Sequence, residues 1–354
     1  MPADVLAKLL DLAKEGATVV FLDQYPEDVP GYAGLERRRT EFKRTLEQIK
    51  KLGNERGKDQ TVLFGTDYAR TLPQTGAIPE AMKTSFDLSC IRRKNTEGYH
   101  YFISALTGKD TESWIPLAVP ARSAMLYNPM NGSSGKALLR QKNGKTEVYL
   151  QLASGESAIL KTFTEADVQV PEWKYQTVAQ GTVELSGLWS LRFVESAPAV
   201  HSVPDSVSLG SWTDLSFEGA GTTMGTGCYT TAFVIENPAS AQDWQLSLGD
   251  VRESARVRIN GREAATLWAV PYCCPIGQYL RSGKNILEIE VTNLPANRIA
   301  DMDRRGVKWR IFKDINIAAL GYKKGTYAGW EPVPSGLLGP VRIIPLKITK
   351  NEMQ

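Results

Sequence analysis

The chain has 354 residues, 42% hydrophobic and 23% charged, an ordinary composition for a globular protein and enough length for two or three separate cores. Forty-two basic against 39 acidic side chains leave a net charge of +3, too small an excess for a general polyanion binder, so nucleic acid is not an expected partner. No run approaches 18 consecutive apolar residues, so no membrane-spanning helix is expected.

The opening MPADVLAKLLDLAKEGATVV lacks the basic start, apolar centre and cleavage site of a secretion signal. Two expectations follow: a cytoplasmic protein, or a piece of something larger. Within residues 1–80, Val5, Leu6, Leu9, Leu10 and Leu12 mark one helical face, and Gly16 is placed to end that helix. Ala17–Leu22 is a short apolar run of the kind that forms a buried strand. After the Pro- and Gly-rich stretch Pro26–Gly34, an amphipathic helix carries Leu35, Phe42, Leu46, Ile49 and Leu52. Thr61–Phe64 reads as a second strand and Tyr68–Leu72 as a helical turn. This is half of a flavodoxin-like doubly wound α/β domain. No G-x-G-x-x-G follows either strand, so no dinucleotide site is expected.

From about 81 to 170 the pattern turns to β. Phe86–Arg93, Gly98–Ser104, Trp114–Val119, Ala124–Asn128, Lys136–Gln141, Thr146–Leu152 and Ser157–Thr162 are strands at hairpin spacing, with Asn143-Gly144 and Ser154-Gly155 as turns. Asp167–Gln180 reads as a linker. Beyond it, Gly187–Phe193 and Cys228–Ile235 precede four successive strands within Trp244–Asn293, where apolar residues alternate with polar ones. Asn260-Gly261 fits a two-residue hairpin turn, and the outward Arg256, Arg258, Glu288 and Glu290 read as cross-strand charge pairs. Pro295–Pro332 is a long aromatic and charged insertion, and Gly336–Pro345 a closing strand. Among the four cysteines, Cys90, Cys228, Cys273 and Cys274, no zinc-type spacing occurs. Buried free thiols are expected, with a Cys228 bridge to Cys273 or Cys274 as the alternative.

GLWSLRF, CYTTAFVI, LSLGDVRESARVRINGREAATLWAVPY, GKNILEIEVTN and SGLLGPVRI, in that order, resemble the sugar-binding jelly roll of family 2 glycoside hydrolases. Val291-Thr292-Asn293 followed by Asn297-Arg298, and the upstream CIRRKNTEGYHYFISA, resemble the C-terminal region of the α-L-rhamnosidases of glycoside hydrolase family 106. The resemblance implies a mainly β chain: an α/β segment over 1–80, an accessory β-sandwich over 81–170 and a galactose-binding-like jelly-roll β-sandwich over 171–354. It further implies a periplasmic or extracellular setting and a catalytic (β/α)8 barrel as partner. A barrel needs about 250 residues, and no alternating β/α pattern of that length exists here. No catalytic residue is therefore carried over.

Glycoside hydrolysis needs two carboxyl groups facing one bond. Asp301, Asp303, Asp314 and Glu331 are the candidates in the insertion, but Arg298, Arg304, Arg305, Lys308 and Arg310 are interleaved with them, and ion pairing is the expected role. His100 and His201 have no nucleophile at motif spacing and are expected to be structural. No cofactor is expected; a structural calcium ion at Asp250 or Glu253 is the alternative, since oxygen ligands suit it. Sugars are held by aromatic platforms and planar polar groups. Trp268, Tyr272, Asn297, Arg298, Trp309, Tyr327 and Trp330 are the candidate carbohydrate contacts, with Glu253 and Tyr322 beside them. Three readings follow: a non-catalytic region of a rhamnosidase-like enzyme, a stand-alone carbohydrate-binding protein, or an intact hydrolase acting through residues 295–332.

Overall fold

The computed structural model describes residues 1–54, 61–75, 77–310 and 325–349, in two compact units, Met1–Ala81 and Met82–Gln354. In the first, α1 (Ala3–Lys14) buries Leu6, Leu10 and Ala13, three positions one helical face apart. The strand β1 (Val19–Leu22) pairs in parallel with β2 (Val62–Gly65) across α2 (Leu35–Asn54), which buries Phe42, Leu46 and Ile49 against them. Asp67 caps the short α3 (Tyr68–Thr71) by accepting from the Ala69 amide at 2.8 Å.

The second unit opens with α4 (Ala81–Ser85), whose Met82 enters a sandwich core. That sandwich is built from β3 (Ser89–Lys94), β4 (Gly98–Ser104), β5 (Thr111–Pro116), β6 (Ser123–Tyr127), β7 (Ser134–Lys136), β8 (Leu139–Lys142), β9 (Lys145–Leu152) and β10 (Ser157–Phe163). One antiparallel sheet has the order β3-β4-β10-β6-β7, and the facing one β5-β9-β8. Alternate residues point inward: Tyr101 and Ile103, Ala124 and Leu126, and Ala158 and Leu160 meet Ile115, Val148 and Leu150. The single strand expected over Lys136–Gln141 is two. Ala137 donates back to Ala124 while the Leu138 carbonyl accepts from Tyr149, so the chain crosses between the two sheets at that point.

The second sandwich contains β11 (Tyr175–Val178), β12 (Val183–Glu184), β13 (Ser190–Ala197), β14 (Met224–Ile235), β15 (Asp243–Ser247), β16 (Asp250–Arg252), β17 (Ser254–Ile259), β18 (Arg262–Leu267), β19 (Cys273–Pro275), β20 (Gly283–Thr292), the helix α5 (Ala296–Arg304), β21 (Gly336–Gly339) and β22 (Arg342–Thr349). The sheet β13-β14-β20-β17-β18 packs on β11-β22-β15-β19, to which β12 adds through β22. The core runs through Leu191, Tyr229, Val257, Leu287, Ile289 and Ile343. The mainly β expectation therefore holds. Asn260 and Gly261 close the β17–β18 hairpin with φ of 52° and 78°, the left-handed pair that suits the strand twist. On the outer face Glu290 takes both Arg256 (3.3 Å) and Arg258 (2.8 Å), which is the expected charge pairing concentrated on one carboxylate.

The expected free thiols are found and the alternative bridge is not, while the linker expectation is corrected in part. None of the four cysteines is joined in a disulfide. Cys228 sits on β14 between Arg192 and Glu290, whereas Cys274 lies in the core on β19 of the facing sheet, which separates the residues of the considered bridge. Nor is the whole of Asp167–Gln180 a linker. Its residues Tyr175–Val178 form β11 on β22, while the Tyr175 ring belongs to the core of the first sandwich, edge-on to Tyr149 at 5.1 Å. The Tyr175 hydroxyl donates to the Tyr149 carbonyl and accepts from the Leu138 amide, each at 3.1 Å. Gln151 and Gln176 exchange a second pair of hydrogen bonds. The approach requires a glycine at 135, where a Cβ would stand 2.6 Å from the Trp173 nitrogen.

Replacing Tyr175 by Phe leaves the Leu138 amide and Tyr149 carbonyl without their buried partner. We expect a loss of about 1–3 kcal/mol in urea-induced unfolding. An unchanged midpoint and slope would show that the hydroxyl is dispensable.

Candidate functional site

One end of the second sandwich collects most of the predicted contact residues. At the end of β20, the Asn293 side chain donates to the Thr223 carbonyl and the Ser335 hydroxyl, both at 3.1 Å, and accepts from the Gly225 amide at 2.9 Å. This buried clasp sets the direction in which the chain leaves the sheet for α5. On α5, Asn297 is only 3% exposed. Its side chain exchanges two 2.8 Å hydrogen bonds with the backbone of Val333, which ties the outgoing and returning arms of the insertion together. Asn297 thus has its hydrogen-bonding capacity directed inward. The insertion itself is not all loop, because residues 296–304 are helical.

Asp303, near the end of α5, organises the aromatic residues. Its carboxylate accepts from the Trp309 indole at 2.6 Å, the Tyr327 amide at 2.7 Å and the Thr326 hydroxyl at 3.1 Å. Arg310 stands 3.8 Å away, and the Asp303 side chain is only 13% exposed. These donors, the Tyr327 amide first, hold its carboxyl below the ordinary value of 3.8. The Arg310 guanidinium lies 5.2 Å from the Trp309 ring and 4.9 Å from the Tyr327 ring, and it donates to the Gly325 carbonyl at 2.8 Å. Tyr327 in turn contacts Trp330 at a centroid distance of 4.5 Å and Trp309 at 6.1 Å. Trp330 remains 47% exposed. The result is a shelf of three aromatic rings with one open indole.

Of the predicted residues, Trp309, Tyr327 and Trp330 are therefore brought into contact with one another. Arg298 faces Asp301 at 3.1 Å, with Arg305 at 3.6 Å from the same carboxylate. Trp268 follows β18, whose last residue Leu267 pairs with Ala255; Ala255 also pairs with Val291, so Trp268 lies at the same end of the sheet and is 65% exposed. Tyr272 is buried. Its hydroxyl donates to the Glu253 carbonyl at 2.5 Å, and burial raises its pKa. Neither Trp268 nor Tyr272 stacks on the shelf among the described ring contacts. Asp250 pairs with Arg252 at 2.7 Å, and no group of three or more His, Cys, Asp or Glu residues suited to a metal occurs among the described residues. Asp314 and Tyr322 lie outside the described residues. Sequence reasoning missed the organising role of Asp303 and the stacking of Arg310; alternation of charge with Trp and Tyr was the only available signal.

The Asp303 geometry points away from acid catalysis. A general acid at neutral pH needs a raised pKa, and this carboxyl is held the other way. Asp301 is likewise shared between two arginines. The arrangement leaves one exposed ring, Trp330, on an insertion whose Asp301 and Asp303 carboxylates are already engaged.

No family model matches the chain. A putative β-glucuronidase of Formosa agariphila is 30% identical over 179 residues, covering 46% of this chain and 15% of its own length. The structure of a rhamnosidase from Novosphingobium sp. PP1Y matches over 97% of this chain and 32% of that one, with a TM-score of 0.64 and 23% identity. A β-D-glucuronidase from Dictyoglomus thermophilum matches over 48% of this chain and 29% of its own, with a TM-score of 0.32 and 20% identity. The chain thus spans less than a third of each of these proteins' lengths. It shares the fold of part of a rhamnosidase and carries a glycoside-hydrolase-like region.

Because the folded Asp303 carboxyl titrates below its unfolded value, its contribution is complete well above pH 3.8, shrinks as pH falls below it, and is gone once the depressed value is passed. Asp303→Ala should reduce the near-ultraviolet circular dichroism of Trp309 and Tyr327 at neutral pH while leaving the far-ultraviolet spectrum unchanged. An unaltered aromatic signal would show that the shelf holds without this carboxylate.

Proposed function

We propose that this chain is a non-catalytic, C-terminal-type region of an α-L-rhamnosidase-like glycosidase of family 106 character, which packs against a catalytic barrel and contributes glycan contacts. The observation that carries the reading is the aromatic shelf, Trp330 open on Tyr327, built on a sandwich whose fold is shared with a rhamnosidase over 97% of the chain. Aromatic rings flanked by fixed polar groups are the usual means of holding a sugar, since the apolar C–H face of a pyranose stacks where its hydroxyls still reach hydrogen-bonding partners. The β-glucuronidase likeness, although it covers 15% of that protein, supports a carbohydrate-active context.

The barrel partner would supply the pair of carboxyl groups that glycoside hydrolysis needs. Within the insertion, Asp301 is an arginine partner and Asp303 a hydrogen-bond hub. This is why we place recognition rather than hydrolysis in the loop. Asn293 and Asn297 would then act as positioning residues for the shelf, and the exposed Trp268 as a further contact at the same end of the sheet.

The test is binding and hydrolysis by the pure chain. We expect oligosaccharides from a glycan array to be retained, with Trp330→Ala weakening retention about tenfold, the loss of one stacking contact in a partly dry site. We expect no release of aryl alcohol from an aryl α-L-rhamnoside. Turnover of that substrate would overturn the non-catalytic assignment, and the absence of any retained glycan would remove the contact role.

A further inference from the structure

The charge around the shelf is uneven. Residues 296–310 hold five cationic side chains, Arg298, Arg304, Arg305, Lys308 and Arg310, against two carboxylates. Both carboxylates are already engaged. Asp301 serves Arg298 and Arg305, and Asp303 receives three hydrogen bonds with Arg310 close by. Arg304 and Lys308 are exposed and have no ion pair among the described residues, and the Arg305 side chain remains 58% exposed. Some of this excess has a local use, since a cation in the last turn of a helix complements its dipole. Arg304 fills that role. Lys308 does not: it stands four residues past the end of α5, next to Trp309 in the chain. In the returning arm, residues 325–335, the one charged residue is the exposed Glu331, so the local balance remains positive.

A neutral sugar would need the stacking ring and hydrogen bonds but no uncompensated cations. Exposed cations on the same insertion as an open indole fit a ligand that carries an apolar sugar face and a negative group together. We infer that the shelf binds an acidic glycan, carboxylate- or sulfate-bearing, with a sugar face on Trp330 and the anionic group met by Arg305 and Lys308. The inference rests on the glycan-contact role proposed above and specifies its ligand class. The chain's overall charge of +3 is too small for indiscriminate binding of polyanions, so the selectivity comes from the ring and the cations acting together.

The experiment is calorimetric titration of the whole chain with oligogalacturonate and its methyl ester, and with a sulfated galactan oligosaccharide and its desulfated form. We expect at least one acidic form to bind about tenfold more tightly than its neutral counterpart, the gain falling as salt is raised. The pair that shows the gain identifies carboxylate or sulfate as the source. Lys308→Gln, alone and with Arg305→Gln, should erase the gain and leave the neutral affinity in place, whereas Trp330→Ala should weaken both forms; thermal unfolding of each variant checks that the fold survives. Equal affinity for acidic and neutral forms would overturn the inference and leave the glycan-contact role standing. Duplex DNA binding as tightly as the acidic glycan would also overturn it, because charge alone would then suffice. Failure to bind any of the four sugars would reject the contact role and the inference with it.

Discussion

Tyr175 is the point on which the large unit depends. Its backbone is the start of an edge strand in one sandwich, and its ring is part of the interior of the other. Separating the sandwiches would pull a buried aromatic from its packing and leave two backbone groups unsatisfied. The Gln151–Gln176 exchange and the close passage of Trp173 over Gly135 bind the same few residues from both sides. Domains joined by a short peptide normally move against each other. Here the joining peptide is itself part of both structures, so the two cores are expected to respond to stress as one body.

The same economy of parts recurs at the far end of the second sandwich. The insertion after β20 departs from the sheet under the control of two buried asparagines and a serine, and it returns under the same control. Between those anchors a single carboxylate draws an indole, an amide and a hydroxyl to itself, and a guanidinium lies against two neighbouring rings. Low exposure strengthens each of these charge-assisted bonds relative to the same contacts in open water. The polar groups therefore fix Trp309 and Tyr327, and Trp330 rests on Tyr327.

The parts of this architecture that are legible in the sequence are those where alternation, burial and turn chemistry coincide. Gly98–Ser104 and the paired segments around Asn260-Gly261 have apolar residues at every second position and a turn that only a few residues allow. The strand at Tyr175 is not legible, because four residues give too few repeats and its partner lies about half the chain away. The change of sheet at Ala137 is decided by hydrogen bonds to Ala124 and Tyr149, and no local pattern records them. The helix after Pro295 is hidden for another reason: it has nine residues, its apolar face is only Ala296, Ile299 and Ala300, and one of the two residues it buries is the polar Asn297. At the site, the aromatic residues are visible as types, but their assembly depends on contacts reaching from Asp303 to Tyr327 across the insertion.

The cysteines described with the second sandwich bear on where such a fold can persist. Burial raises the pKa of Cys228 and Cys273 and pushes Cys274 up to about 12, so few thiolates form at neutral pH. Thiol exchange begins with a thiolate, and metal capture needs one. No disulfide joins the cysteines of the sandwich, and Cys274 packs in its apolar core as a small hydrophobic side chain. Once folded, the sandwich therefore holds these thiols in a form slow to exchange, because the burial that raises their pKa exists only in the native state.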